Sequence, residues 1–232
     1  MKKIAILQSN YIPWRGYFDL INYVDEFIFF DEVQYTRRDW RNRNLIRNKE
    51  KKFWITIPVI SKGNYFSKIL DIKIFDGKWT KEHLNQFNEN YKNSKYFMET
   101  YSFLEEIYNK NKQDNLYLIN RNIIIQICKY LKIKTEFNFS EDMAIQSREQ
   151  NPSLRLIEIC KKQKAITYVT GPAAKNYLDE NLFTKENIKI EFFNYNKCKE
   201  YEQLKYKFIP KLSIVDCLFN CGVNKENYLN YI

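Results

Sequence analysis

Short runs of apolar residues alternate with helical patterns along the chain, and this alternation constrains the fold more than any other feature. The run at residues 4–7 is typical of a strand buried on both faces of a sheet, and residues 27–30, 166–170 and 188–193 are predicted to form further strands. Strands that alternate with helices predict an α/β fold with a mainly parallel sheet flanked by helices. A chain of 232 residues is long enough for one such domain, so we expect a single domain over residues 1–232.

The longest helical patterns lie in the middle of the chain. Residues 79–91, 96–108 and 116–131 carry apolar side chains at helical spacing. They predict a helical block around residues 79–131, either an insertion between strands or a small subdomain. Before this block, residues 52–60 are rich in strand formers, and the alternation at residues 69–75 predicts a half-exposed strand.

Charge and cysteine usage limit the classes of function. The formal net charge of +10 indicates either a solvated basic surface or an anionic partner, such as a nucleotide-linked substrate, a carrier protein, an anionic lipid or nucleic acid. The start of the chain has only four consecutive apolar residues, too few for a signal peptide, and no later run could span a membrane. Five irregularly spaced cysteines then predict reduced thiols, a cytoplasmic location and no metal site.

Polar residues follow the first predicted strand, at the edge where open parallel sheets bind ligands. Gln8 comes directly after the apolar run, and Pro13 stiffens the turn that follows. The pair Thr170-Gly171 is expected to lead another strand into a helix N-terminus, which either holds a phosphate or is an ordinary turn. The motifs GxxxxGK[ST], GxGxxG and GxSxG are absent, which disfavours ATP hydrolysis, nicotinamide cofactors and serine hydrolase chemistry.

A basic and aromatic segment runs from Gln34 to Lys52. It contains eight arginines and lysines, with Tyr35 and Trp40 between them. Arginine binds phosphate or carboxylate through two parallel hydrogen bonds. The segment is therefore either a solvated loop, a phosphate-binding element or a nucleic-acid contact.

His83 is the only histidine, and two interpretations of it stay open. It shares one predicted helix face with Trp79, Phe87 and Tyr91, which is typical of a packed residue. It is also the one side chain that titrates near neutral pH without perturbation, so it is a candidate acid–base group that a carboxylate such as Asp31 would orient.

Six motifs, spread over residues 4–222, resemble the WbqC-like protein family. They are QSNYIPWRGYFDLI, FFDEVQYTRRDWRNRN, WTKEH, SLRLIEICK, YVTGPAAKNYLD and LSIVDCLFNCG. The family's usual proline after the first glutamine is Ser9 here. The resemblance implies a bacterial cytoplasmic protein of O-antigen or surface-polysaccharide biosynthesis that transfers an amino acid, such as glycine, or a related acyl group onto a sugar. By motif match it implies these site residues: Gln8, Tyr11, Trp14, Asp31, Tyr35, Arg38, Arg43, His83, Gly171 and Asp216.

Residues and resemblance together lead to one hypothesis, an acyl- or aminoacyltransferase that forms an amide on a nucleotide-linked amino sugar. No tightly bound cofactor is expected, and the donor is a phosphopantetheine thioester on a carrier protein or coenzyme A. His83 and Asp31 are the predicted catalytic residues. The predicted substrate-binding residues are Gln8, Tyr11, Trp14, Tyr35, Arg38, Trp40, Arg43, Thr170, Gly171 and Asp216.

In this hypothesis Arg38 and Arg43 hold the diphosphate or the phosphopantetheine, while Tyr35 and Trp40 stack on the base or the sugar. Two alternatives remain. One is a nucleic-acid-binding protein that uses the basic aromatic segment. The other is a nucleotidyltransferase-like α/β enzyme, which is disfavoured because the paired histidines expected after the first strand are missing.

Overall fold

Five parallel strands form the central sheet of the computed structural model, which describes residues 2–61, 66–147, 151–197 and 199–231, without the side chain of Lys197. They are β1 (Lys3–Leu7), β2 (Glu26–Phe29), β7 (Glu136–Phe139), β8 (Thr167–Thr170) and β9 (Lys189–Phe192). Their order across the sheet is β7-β2-β1-β8-β9, and every pairing is parallel. With helices on both faces, the protein has the α/β fold that the apolar runs predicted.

The direction in which strands are added reverses at β1. The chain first builds outward through β2 and β7, then returns to the other side of β1 to add β8 and β9. Such a switch point leaves a crevice outside the carboxyl ends of the two strands that flank it, where doubly wound sheets bind ligands. The residues that follow Leu7 and Thr170 therefore lie at the expected position of a site.

Both faces of the sheet are covered, which explains why its three central strands, β1, β2 and β8, are buried almost throughout. On one face Ile4 and Ile6 pack with residues of α5 (Pro152–Lys162) and α6 (Glu180–Lys185). On the other face Ala5 and Val169 share a core with α1 (Arg15–Tyr23) and α7 (Ile214–Cys221).

A long insertion separates β2 from its sheet neighbour β7. It contains α2 (Trp79–Tyr91), α3 (Phe97–Lys110) and α4 (Leu116–Tyr130), which confirms the predicted helical insertion around residues 79–131. The insertion begins with an antiparallel hairpin of β3 (Arg43–Asn48) and β4 (Lys51–Thr56), followed by the short pair β5 (Val59–Ile60) and β6 (Lys73–Ile74).

Two local predictions differ from the structure. Residues 69–75 were expected to form one strand, but a 3-10 helix (Ile69–Asp71) precedes the two-residue β6, because the amides of Ile69 and Leu70 bond to the segment after β2. A 3-10 helix (Pro172–Asn176) also follows Gly171, and α6 begins only at Glu180, so Gly171 is not at an α-helix N-terminus. Within the described residues, no helix is long and apolar enough to cross a membrane.

Candidate substrate site

Arg41 is the arginine that reaches the carboxyl end of β1. Its guanidinium donates to the side-chain oxygen of Asn10 and, at 3.3 Å, to that of Gln8. The carbonyl of Arg41 accepts a hydrogen bond of 2.8 Å from Asn120 on α4, which fixes the backbone there. The side chain is 16% exposed, and its nearest carboxylate oxygen, on Asp39, lies 3.8 Å away. The crevice therefore presents a held but accessible positive charge.

The two arginines that were predicted to bind phosphate lie on the hairpin side of the chain. Arg43 stacks over the ring of Trp54 at 4.0 Å and donates to the backbone carbonyl of Arg38. The Arg38 side chain is exposed, and its backbone has a positive φ of 56°. Of the three arginines, Arg41 is the one with contacts to the residues that follow β1, and it is the residue that the sequence argument missed.

Asp31 follows β2 and is fully buried next to the same edge. Its carboxylate accepts a hydrogen bond of 2.8 Å from the amide of Ser9 and one of 2.7 Å from Arg121 on α4. Arg121 in turn forms two contacts with Glu141, after β7. Burial raises the pKa of Asp31, and the charge of Arg121 opposes that rise. Asp31 thus connects the ends of β1 and β2 to helix α4 of the insertion.

His83 is buried, 4% exposed, and its partner is not the one predicted. Its Nδ1 lies 2.7 Å from the hydroxyl of Tyr11, which also bonds to the hydroxyl of Tyr108. Burial lowers the pKa of His83 to about 4, and a backbone hydrogen bond with Thr56 acts in the opposite direction. The imidazole is therefore neutral at pH 7. The structure does not bring Asp31 against His83, because Ser9 and Arg121 hold that carboxylate.

The predicted aromatic residues divide into buried and exposed ones. Tyr11 is fully buried, so it does not line an open pocket, and Tyr35 is buried with its pKa raised by burial to about 12. Trp40, by contrast, is 41% exposed, and its ring centroid lies 5.0 Å from that of Trp54, which is equally exposed. Trp54 was not predicted, since its strand looked like ordinary core.

A cavity of about 570 Å³ lies between the edge strand β4 and helix α2. Its lining includes Trp54, Thr56, Glu82, His83 and Gln86. This cavity brings the only histidine next to the exposed tryptophan pair. The turn after β1 holds the tryptophan pair near the crevice, because the Tyr11 amide donates a hydrogen bond to the carbonyl of Trp40.

Trp14 and Gly171 lie close together, joined by Tyr195. The indole of Trp14 covers Gly16, where an added Cβ would come within 2.3 Å of the ring, and its centroid is 5.2 Å from that of Tyr195. Tyr195 follows β9 and would lie 3.7 Å from a Cβ at Gly171. Thr170 is nearly buried and accepts a hydrogen bond from Tyr168. The pair of rings therefore flanks the end of β8.

Asp216, which was predicted to bind substrate, is fully buried in the interior. Its carboxylate accepts hydrogen bonds from the hydroxyls of Tyr91, at 3.1 Å, and Tyr201, at 2.7 Å. Burial raises the pKa of this carboxyl to about 6. The aspartate therefore helps to hold α7 against α2 and the preceding loop.

The thiols show no sign of activation. The four described cysteines are unpaired and buried, and burial raises the pKa of each: Cys128, Cys160, Cys217 and Cys221. Cys198 lies outside the described residues. Among the described parts of the chain, no group of three or more His, Cys, Asp or Glu side chains could hold a metal ion.

The fold and the crevice define an α/β protein with a cationic polar cluster at the switch point of a parallel sheet. The model of the WbqC-like protein family matches residues 8–228, and the chain belongs to this family. It is 43% identical over 231 residues to the uncharacterized protein Rv1507c of Mycobacterium tuberculosis (strain ATCC 25618 / H37Rv), covering 100% of this chain and 99% of that protein. No solved structure matches the chain. Membership in the family suggests a role in polysaccharide biosynthesis.

Proposed function

We propose that this protein is an N-acyl- or aminoacyltransferase that acts on a nucleotide-linked amino sugar in surface-polysaccharide biosynthesis. The sugar amine attacks the carbonyl carbon of a thioester donor, carried by a carrier protein or coenzyme A. A C–N bond forms, the C–S bond breaks, and the thiol leaves. The amine loses one proton, which a base accepts and then passes to the thiolate.

The observation that carries this proposal is the position of Arg41. Gln8 and Asn10 hold its guanidinium through neutral oxygens, and the ion pair with Asp39, at 3.8 Å, offsets the charge only weakly. A planar guanidinium matches the oxygens of a diphosphate, and the switch point is where doubly wound sheets hold nucleotides. Trp14 and Tyr195 at the neighbouring strand ends supply aromatic faces for a nucleobase.

Next to Arg41 lies a surface that can bind the sugar of such a substrate. Trp40 precedes Arg41 in the chain, and together with Trp54 it presents two exposed indole rings. The apolar C–H face of a sugar ring packs well on an indole. Since the adjoining cavity is lined by His83, we assign the neutral imidazole as the base, which accepts the amine proton at Nδ1 when the substrate amine replaces the Tyr11 hydroxyl there.

The test combines a transfer assay with a binding assay. The protein is incubated with amino-sugar nucleotides and either an acyl-loaded carrier or acyl-coenzyme A, and the sugar is examined by mass spectrometry for the added acyl mass. The Arg41→Ala variant should bind the nucleotide sugar at least about tenfold more weakly, because it loses a charge-assisted pair. Arg38→Ala is the matched control and should bind normally. Absence of any mass shift, or normal binding by Arg41→Ala, would overturn the proposal.

A nucleic-acid-binding function is the second candidate, and the exposed pair of Trp40 and Trp54 with Arg43 stacked on it favours this function. Bases of single-stranded nucleic acid stack on such rings, and basic side chains bind the phosphates. This candidate predicts binding to generic oligonucleotides that weakens steeply with salt. A filter-binding titration without a salt slope would exclude it.

A further inference from the structure

A second cationic cavity, of about 890 Å³, lies at the tip of the β3–β4 hairpin. Three separate segments contribute lysines to its lining: Lys49 from the hairpin, Lys92 and Lys95 from the turn between α2 and α3, and Lys205 from the loop before α7. Two acidic side chains also line it, Glu89 and Glu202. Across the described ranges none of these four lysines forms an ion pair. The cavity is therefore left with an uncompensated positive charge.

Arg47, a buried arginine bonded to the backbone of the cavity lining, adds to this charge. Arg47 is fully buried, and its guanidinium donates to the carbonyls of Lys49, at 2.9 Å, and Lys207, at 2.6 Å, and to the side-chain oxygen of Gln203, at 2.7 Å. All three acceptors are neutral, and the buried carboxyl of Asp216 offsets part of this charge through space without a direct hydrogen bond. In surroundings of low dielectric, a cation of this kind raises the local potential more than an exposed one.

The wall of the cavity is held in an uncommon backbone conformation. Lys49, Leu204 and Lys205 have positive φ angles of 50°, 51° and 61°, which disfavour residues with a side chain. The Leu204 amide bonds to the side chain of Asn220, and Arg47 joins the hairpin tip to the loop. Strained residues of this kind cluster at binding sites when the surrounding contacts hold them in place. The shape of the cavity is therefore fixed before any ligand binds.

We infer that this cavity binds the phosphate groups of a small organic phosphate, such as coenzyme A or a nucleoside diphosphate. Its concave shape and its lysine ammonium groups, with Asn93 beside them, suit an enclosed small anion, while Asn90 and Ser94 donate to the carbonyls of Gln86 and Tyr91 and help to fix the wall. It is separate from the crevice, because strand β3 lies between Arg41 and Lys49 and spans about 20 Å at roughly 3.3 Å per residue. Assigning the ligand to the acyl donor rests on the proposed function, whereas the binding of phosphate does not.

Titration calorimetry of the full chain with pyrophosphate, coenzyme A and uridine diphosphate tests this inference. The Lys92→Gln/Lys205→Gln variant should lose at least about tenfold in affinity for pyrophosphate, and Lys92→Arg/Lys205→Arg should keep it. Lys129→Gln/Lys185→Gln changes the net charge equally on exposed positions outside the cavity, so it should bind as the unaltered protein does. In the Arg41→Ala variant, which lacks the crevice arginine, tighter binding of coenzyme A than of uridine diphosphate would assign the cavity to the acyl donor.

The inference would be overturned by no binding of any of the three ligands, or by equal losses in the cavity variant and its control. Retained binding of all three by the cavity variant, with binding of an acidic protein lost instead, would also overturn it. Arg41→Ala should leave pyrophosphate binding at this cavity intact. A negative transfer assay with lysine-dependent pyrophosphate binding would therefore reject the proposed function and leave the cavity inference standing.

Discussion

One buried histidine is expected to make the stability of this protein depend on pH. Burial lowers the pKa of His83 to about 4, against 6.5 when unperturbed, so the unfolded chain binds a proton more readily than the folded one. The stabilising contribution is complete above pH 6.5 and is lost as the pH falls towards 4, by roughly 3 kcal/mol. His83→Gln removes this dependence, so its free energy of unfolding in urea should change less between pH 7 and pH 5 than that of the unaltered protein. An unchanged pH slope would contradict this.

Asp216 is expected to have the opposite effect, so that its contribution to stability grows as the pH falls. Burial raises its pKa from 3.8 to about 6, so here the folded protein binds the proton more readily. Its contribution is complete below pH 3.8 and is lost as the pH rises through 6. Urea unfolding of Asp216→Asn should therefore show a steeper fall in stability on acidification from pH 6 to pH 4 than the unaltered protein does. A shallower fall would show that this carboxyl is ionised in the folded protein throughout that range.

The lowered pKa of His83 also predicts how the rate of the proposed reaction depends on pH. A base with a pKa of about 4 stays unprotonated through the neutral range, so His83 should add no acid limb near pH 6.5 to kcat/KM beyond the limb that the sugar amine itself produces. His83→Asn should cost roughly 10²–10⁴-fold in rate. Turnover at the original rate in this variant would remove His83 from the mechanism. An acid limb near 6.5 that persists in the variant would assign the titration to another group.

At the residue level, the position of Gln8 at the edge of the sheet followed from a local argument, whereas the choice among the arginines did not. Gln8 could be predicted from the rule that ligands bind at the carboxyl ends of parallel strands. Arg38, Arg41 and Arg43 look equivalent in the sequence. The one that reaches the crevice is decided by contacts over long sequence distances, such as the hydrogen bond between Arg41 and Asn120. No local pattern contains that information.

At the level of elements, the first turn of α1 depends on a close contact between a ring and the backbone. A Cβ at Gly16 would lie 2.3 Å from the indole of Trp14, so Gly16→Ala must displace that ring from its packing against Tyr195. We expect a loss of about 1–3 kcal/mol in urea unfolding, as for other overpacked positions. Gly77→Ala is the control, since nothing lies within 4 Å of its Cβ position. Equal stability of the two variants would show that Trp14 can move freely.

The elements that were predicted well have a strong period of their own. Helix α2 spans Trp79–Tyr91 as expected, because its buried residues recur every four positions. The β3–β4 hairpin was not separated within the basic segment, since Arg43, Arg47 and Lys52 obscure the alternation. Arg47 is buried only because the loop after residue 202 supplies its acceptors. Such tertiary compensation overrides the local preference of a charged residue for solvent.

At the scale of the whole molecule, the order of the sheet depends on pairings between distant parts of the chain. Strands β2 and β7 are neighbours although the whole helical insertion lies between them. The sequence indicates which runs form strands, but the pairing of β7 with β2 also depends on how the insertion packs. Two ion pairs connect the insertion to the sheet, since Arg121 of α4 pairs with Asp31 after β2 and with Glu141 after β7.

Arg121→Ala tests how much these ion pairs contribute to the cohesion of the molecule. The variant leaves the buried carboxylate of Asp31 without its cation, and losing one partner of a buried pair costs about 3–5 kcal/mol. Amide exchange should accelerate first in α4 and at the end of β2, because these are the elements that Arg121 connects. Lys110→Ala, which breaks the exposed pair with Glu106, is the control and should cost less than about 1 kcal/mol. If urea unfolding shows equal losses in the two variants, apolar packing alone holds the insertion to the sheet, and the buried ion pairs add nothing to it.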